Sequence, residues 1–330
     1  MKSRIIICIA ITLFFLSIPF GSVFFRGNTE PPEIKQYIPT NEYSYDEEAN
    51  FKIKVYDWTE DKTFETDIFS CITNQIIRDG AENYEDEAIK AIALVIYNDM
   101  LYDYEITKKE EIHPDAFICL GCSYCNDISA PEKEINEKNR NRIYSLIEEI
   151  LTKKITYENK IIQGVKIPFS SGKTESAYDV WGTEIGYLQS KESVWDIQYP
   201  NFSNKYVFSI SNFYDKCLKI WGVDGEKTKP DIQITDKTEN GTVKKVKVFG
   251  KEISSNSFCL EFGINSANFS VEVTDSEIIF LTKGSGMSIG LSEYGAECLA
   301  EQGYSYEEII KYYYTDVLIE NFSFSEYFLN

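Results

Sequence analysis

Apolar residues run without a charge from Ile5 to Phe25, just after Lys2 and Arg4. At about 1.5 Å of rise per residue, a helix of that length spans the roughly 30 Å hydrocarbon core of a bilayer. The pattern therefore predicts a transmembrane helix within residues 1–26. The competing reading is a cleaved secretory signal, although no clear small-x-small site follows the run. The positive residues ahead of it place the N-terminus in the cytoplasm and the main domain outside the cell membrane. Residues 27–50 carry Pro31, Pro32 and Pro39 and no periodicity, and read as a stalk. From Phe51 to Tyr56, apolar and polar residues alternate as in a strand. Ala88, Ile92, Val95 and Ile96 recur at helical spacing behind Glu85, Asp86 and Glu87, predicting a helix over 84–100. Ile143, Leu146, Ile147 and Ile150 predict a second helix over 132–153. Beyond Ile155 the pattern is strand-like, with Asn240-Gly241 as a hairpin turn feeding Val243–Phe249. A last helix over 305–314 opens on the capping box Ser305-x-x-Glu308. These elements define an α+β class: an N-terminal transmembrane helix, then one mixed domain over 51–330 with early and late helices and a strand-rich middle.

Charge narrows the partners. The formal net charge is −20, and Lys2, Arg4 and Arg26 leave −23 on residues 27–330. Such a surface repels nucleic acid, so no nucleic-acid partner is expected. With 43% hydrophobic and 15% aromatic residues, the sequence has the material for a packed core.

The cysteines follow no framework of even spacing. Cys119, Cys122 and Cys125 crowd together, with the chain's single histidine, His113, just ahead. Four soft or borderline ligands in a short loop suit a tetrahedral, structural zinc ion. A disulfide among the same cysteines is the rival outside the cytoplasm, and free thiols the third reading.

Three separated segments carry a family resemblance: Glu87–Ala93, Ser170–Gly182 with Tyr187–Asp196, and Gly284–Ala296 with Gly303–Tyr314. In order and spacing they resemble the stage II sporulation protein D family of peptidoglycan-degrading enzymes. The sequence departs from the family's pattern at Ile92 (glutamine), Met287 (histidine), Ser288 (glycine) and Glu293 (glutamine). A histidine usual before the Ser-Gly-Lys-Thr segment is also replaced, by the run Ile167-Pro168-Phe169. In the cysteine-rich region, where the family often has Cys…His-Cys, Cys119 and Cys125 fit and Tyr124 stands at the histidine.

The resemblance implies a membrane-anchored lytic transglycosylase that cleaves MurNAc–GlcNAc bonds of peptidoglycan glycan strands during engulfment, alongside other cell-wall sporulation proteins. In that chemistry the sugar's own C6 hydroxyl is the nucleophile. Because it is tethered, one carboxylate suffices as acid and base. The resemblance places this role on Glu87. Pattern alone gives Glu87 a different one, since acids in a first helical turn stabilise the macrodipole. Glycan contacts fall on Ser171, Gly172, Lys173, Thr174 and Glu175, and on Gly284, Gly286, Ser292, Glu293 and Tyr294. Ser171-Gly-Lys-Thr174 is not a phosphate loop, because that pattern needs a glycine where Ile167 stands. The alternative function is a catalytically degenerate glycan-binding or scaffolding member of the family.

Overall fold

The computed structural model describes residues 52–57, 60–109, 116–120, 135–226 and 230–323. In chain order, strands β1 (Lys52–Asp57) and β2 (Lys62–Asp67) form an antiparallel hairpin that runs into helix α1 (Ile68–Arg78). Helix α2 (Asp86–Lys109) follows, then strand β3 (Ile118–Leu120), which joins β1 in parallel. Helix α3 (Glu137–Ile150) leads to strands β4 (Lys153–Tyr157), β5 (Lys160–Ile161) and β6 (Lys166–Ile167) and the short helix α4 (Ala177–Trp181).

A lobe then opens: β7 (Ser203–Ser209), α5 (Ile210–Trp221), β8 (Ile232–Lys237), β9 (Val243–Val248), β10 (Lys251–Ser254), α6 (Ser255–Phe262), β11 (Phe269–Val273) and β12 (Glu277–Lys283). It holds two three-stranded antiparallel sheets, β10-β9-β8 and β11-β12-β7. The chain closes with β13 (Leu291–Ser292), α7 (Glu293–Glu301), α8 (Tyr306–Tyr313) and β14 (Leu318–Asn321).

The helix α2 organises the main body. Ala88, Ile89 and every residue from Ala91 to Tyr97 are buried, so the helix threads the core rather than lying on it. It packs against α1, α3, α7, α8 and β4. The buried Asn98 ties it to a hairpin. The Asn98 amide donates to the Ile162 carbonyl at 2.6 Å, and its side-chain oxygen accepts from the Ile155 amide at 2.6 Å, pinning β4 and β5 to the helix. Such pairing is what makes a buried carboxamide tolerable.

The lobe has a separate core of Phe213, Phe258, Phe262, Phe269 and Phe280 with Val243, Val246 and Val248. Met287 packs against both cores. The lobe enters and leaves side by side, since Ser203 lies opposite Lys283 in the β7–β12 pair.

The α+β class holds, but no transmembrane helix is among the elements of the described residues. No helix among the described residues is long and apolar enough to cross a membrane. The longest, α2, has 24 residues and carries charges such as Lys90, Asp99 and Asp103 along its length. The fold class is thus corrected to α+β without the transmembrane helix; residues 1–26 and the stalk 27–50 lie outside the described residues. The middle is also less purely strand than expected, because α5 and α6 interrupt it. The Ser305–Glu308 capping box and the Asn240-Gly241 turn form as the sequence predicts, Gly241 with φ of +93°.

Candidate functional site

The second and third of the motif segments fold into one interlocked unit. Strand β13 pairs in parallel with β6, setting Leu291 opposite Lys166 and Ser292 opposite Ile167. Beyond that pair the Tyr294 amide donates to the Pro168 carbonyl and the Ser285 amide to the Phe169 carbonyl, each at 3.0 Å. The fully buried Asp196 bolts the two together: it accepts the Ser170 amide at 2.7 Å and the Ser292 hydroxyl at 2.9 Å. Burial pushes the Asp196 carboxyl upward, and the serine donors oppose that. Gly284 is required by this junction. Its φ is +72°, and a Cβ there would stand 2.7 Å from the Ser171 nitrogen.

The residues expected to contact glycan divide by exposure. Thr174 and Glu175 are buried and already satisfied. Thr174 accepts the Lys191 amide at 2.8 Å, while Glu175 takes the Thr238 hydroxyl at 2.6 Å and the Asn240 amide at 3.0 Å. Glu175 thereby latches the lobe's β8–β9 turn to the main body. Gly172 is buried beneath Ile197. Ser171, Lys173, Gly286 and Tyr294 remain at least partly exposed, with Lys173 paired to Glu192 at 3.2 Å. Tyr294 stands edge-on to Tyr199, whose ring stacks on Phe169 at 4.1 Å between centroids. Tyr84 is within electrostatic reach of both tyrosines, and burial raises its phenol. A cluster of half-buried Tyr84, Tyr199 and Tyr294 thus links the interlocked unit to the chain just before α2. Sequence reasoning missed Tyr84 and Tyr199. Tyr84 precedes Glu87 by three residues, which was its only local signal.

Glu87 sits in the first turn of α2, with its side chain 35% exposed. One carboxylate oxygen accepts the Tyr306 amide at 2.7 Å, and the other is ion-paired with Lys90. It therefore also satisfies an orphan amide at the start of α8. Lys90 reaches on to Glu149 at 3.2 Å and lies 5.5 Å from the centre of the Tyr306 ring. Nearby, Glu297 accepts the Glu85 amide at 2.7 Å, and Arg142 donates to the Tyr84 carbonyl at 2.6 Å. Glu87 is held in place by these helix ends; its partners do not include the Ser171–Glu175 segment.

Glu293 is 1% exposed. Its carboxylate lies 2.7 Å from the Lys166 ammonium, which also holds Asp79 at 2.5 Å. Burial pushes Glu293 up to about 7, against the pull of Lys166 and with help from the Asp79 charge. Burial alone would lower Lys166, but the two carboxylates outweigh it and keep the ammonium charged. Because the folded carboxyl holds its proton more tightly than the unfolded value of 4.5, its stabilising contribution is complete below 4.5 and is lost as pH rises through about 7. Glu293→Gln removes that dependence. Denaturation at pH 5 and pH 8 should show the variant gaining about 2–3 kcal/mol on the native protein over that range. Parallel curves would refute the assignment.

His113, Cys122 and Cys125 lie outside the described residues. Cys119 is buried at β3 and disulfide-bonded. Among the described residues no group of His, Cys, Asp and Glu is arranged to hold a metal ion. Met287, standing where the resemblance implies a histidine, fills space between the two cores and offers no group for proton transfer.

An α+β body with tyrosines grouped beside the junction of the second and third motif segments is the class these observations define. No family profile matches the chain. It is similar to Stage II sporulation protein D of Bacillus amyloliquefaciens, at 33% identity over 180 residues, 54% of this chain and 51% of that protein. It is 31% identical over 176 residues to Stage II sporulation protein D of Bacillus subtilis (strain 168), 53% of this chain and 49% of that one. A weaker likeness, 24% identity, covers 53% of this chain and 32% of the Amidase enhancer of Bacillus subtilis (strain 168). The chain thus spans about half the length of these two Stage II sporulation protein D relatives. Over that half, the likeness supports kinship with the stage II sporulation protein D proteins.

Proposed function

We propose that the protein acts on the glycan strands of peptidoglycan during sporulation, outside the cytoplasm, as a lytic transglycosylase with Glu87 as its acid and base. The observation that carries this reading is the fixed, solvent-reachable carboxyl at the start of α2. It is held by the Tyr306 amide and follows Tyr84 by three positions in the chain. In the reaction the Glu87 carboxyl gives its proton to the glycosidic oxygen as the bond to C1 breaks. The C6 hydroxyl oxygen then bonds to C1 and returns its proton to the carboxylate, so no water is consumed and Glu87 ends as it began. Tyr199 and Tyr294 offer amphipathic ring faces and hydroxyls to a sugar.

A second reading has its own support: both oxygens of Glu87 already have partners, and Met287 is inert. On that reading the protein binds glycan and organises other wall proteins without cutting. Digestion of purified glycan strands separates the two. Release of 1,6-anhydro ends that falls at least about a hundredfold in Glu87→Gln supports cleavage by this residue. Strand binding without any anhydro product leaves only the scaffold, and product that persists in Glu87→Gln clears Glu87 of the role.

A further inference from the structure

We propose that the lobe carries a second glycan-binding surface, a groove that takes an extended, carboxylate-bearing glycan; the inference rests on the glycan reading above and extends it to a part of the molecule no motif reaches. The groove encloses about 1100 Å³ between strand β8 and the outer face of the β11-β12-β7 sheet. Pockets for single small ligands run from about 300 to 1,000 Å³, so this one has room for several units of a polymer.

Its lining is unusual for so acidic a chain. Lys205, Lys237 and Lys283 all reach it and are all exposed, and none has an ion-pair partner among the described residues. The one acid of the lining, Asp236, is already paired with Lys244 at 3.4 Å. Three such ammonium groups on a molecule of net charge −20 form a local positive field that selects an anion. Between them stand hydroxyl and amide groups, among them Asn204 and Ser270, which match sugar hydroxyls. Leu281, 46% exposed on the outer face of the sheet, offers an apolar patch for the C–H face of a ring. A peptide would need deeper apolar pockets for its side chains.

Two of the groove's lysines adjoin, along the chain, residues that touch the interlocked segments. Lys283 precedes Gly284, which abuts Ser171, and Lys237 precedes Thr238, which holds Glu175. On the proposed reading, a strand lying across the candidate site runs on into the groove, where its carboxylates meet the lysines.

The test is equilibrium binding of the full chain to glycan strands stripped of their peptides, whose lactyl carboxylates are free. The triple variant Lys205→Gln, Lys237→Gln, Lys283→Gln should bind at least about tenfold more weakly. The native protein should bind strands whose carboxylates have been amidated as weakly as the triple variant binds untreated ones. Free acidic stem peptides should not displace the strands. Unchanged affinity in the variant, full affinity for amidated strands, or displacement by stem peptides would each overturn the proposal. So would failure of the native protein to bind strands at all. If anhydro products form normally while the lysine variant binds like the native protein, the groove fails and the cleavage reading stands. Lysine-dependent binding without product upholds the groove and removes the cleavage reading.

Discussion

Replacing Lys166 by methionine lowers stability at pH 8 by about 3–5 kcal/mol, because two carboxylates then lose the ammonium between them. Glu293 is almost wholly buried and Asp79 largely so, their side chains 2% and 22% exposed. Neither can recover much hydration. The loss shrinks as pH falls, since Glu293 already takes up a proton near 7 in the native protein and would do so more readily without Lys166. Urea denaturation at pH 8 and pH 5 measures both effects. The double change Lys166→Met with Glu293→Gln should recover most of the stability lost at pH 8, since it removes the stranded charge as well. A loss under about 1 kcal/mol in the single variant would mean that the lysine is not what keeps these acids together.

Asp196→Ala is the second large effect. The change strands the Ser170 amide and the Ser292 hydroxyl, both fully buried, and each orphaned donor costs about 1–3 kcal/mol. A total loss of about 3–5 kcal/mol in chemical denaturation is expected. Asp196→Asn keeps the shape and one acceptor oxygen but points an N–H₂ group toward a donor, so it should fall between the two. Because Asp196 joins the second motif segment to the third, glycan binding should fall with stability in both variants. Wild-type stability in Asp196→Ala would contradict the bolting role.

Local chemistry was the legible part of the fold. Acids at 85–87 followed by apolar helical spacing announced α2, and Ser305 with Glu308 announced α8, because a helix start is written within a few residues. The helices α5 and α6 carry local signals as well. Ser209 and Ser254 cap them, and Gly222 and Gly263 end them in the left-handed conformation with φ of +60° and +64°. Those signals were lost in a stretch whose strands on either side dominated the pattern. The site was less legible for a different reason. Glu87 could be singled out by resemblance, but its partner Tyr306 lies 219 positions away. Glu293 looked like a surface residue facing sugar because nothing near it in sequence reveals Lys166 and Asp79. Burial of a polar side chain is decided by distant segments, and a single sequence does not display them.

The neighbouring placement of Ser203 and Lys283 has a consequence for how this architecture can vary. Everything between them folds around its own aromatic core, enters and leaves on two adjacent strands, and is latched to the body at the β8–β9 turn. Residues can therefore be added to or removed from the lobe's loops away from that turn without moving the segments that precede and follow it. The lobe behaves as a graft, free to diversify in what it holds while the stock that bears Glu87 keeps its shape.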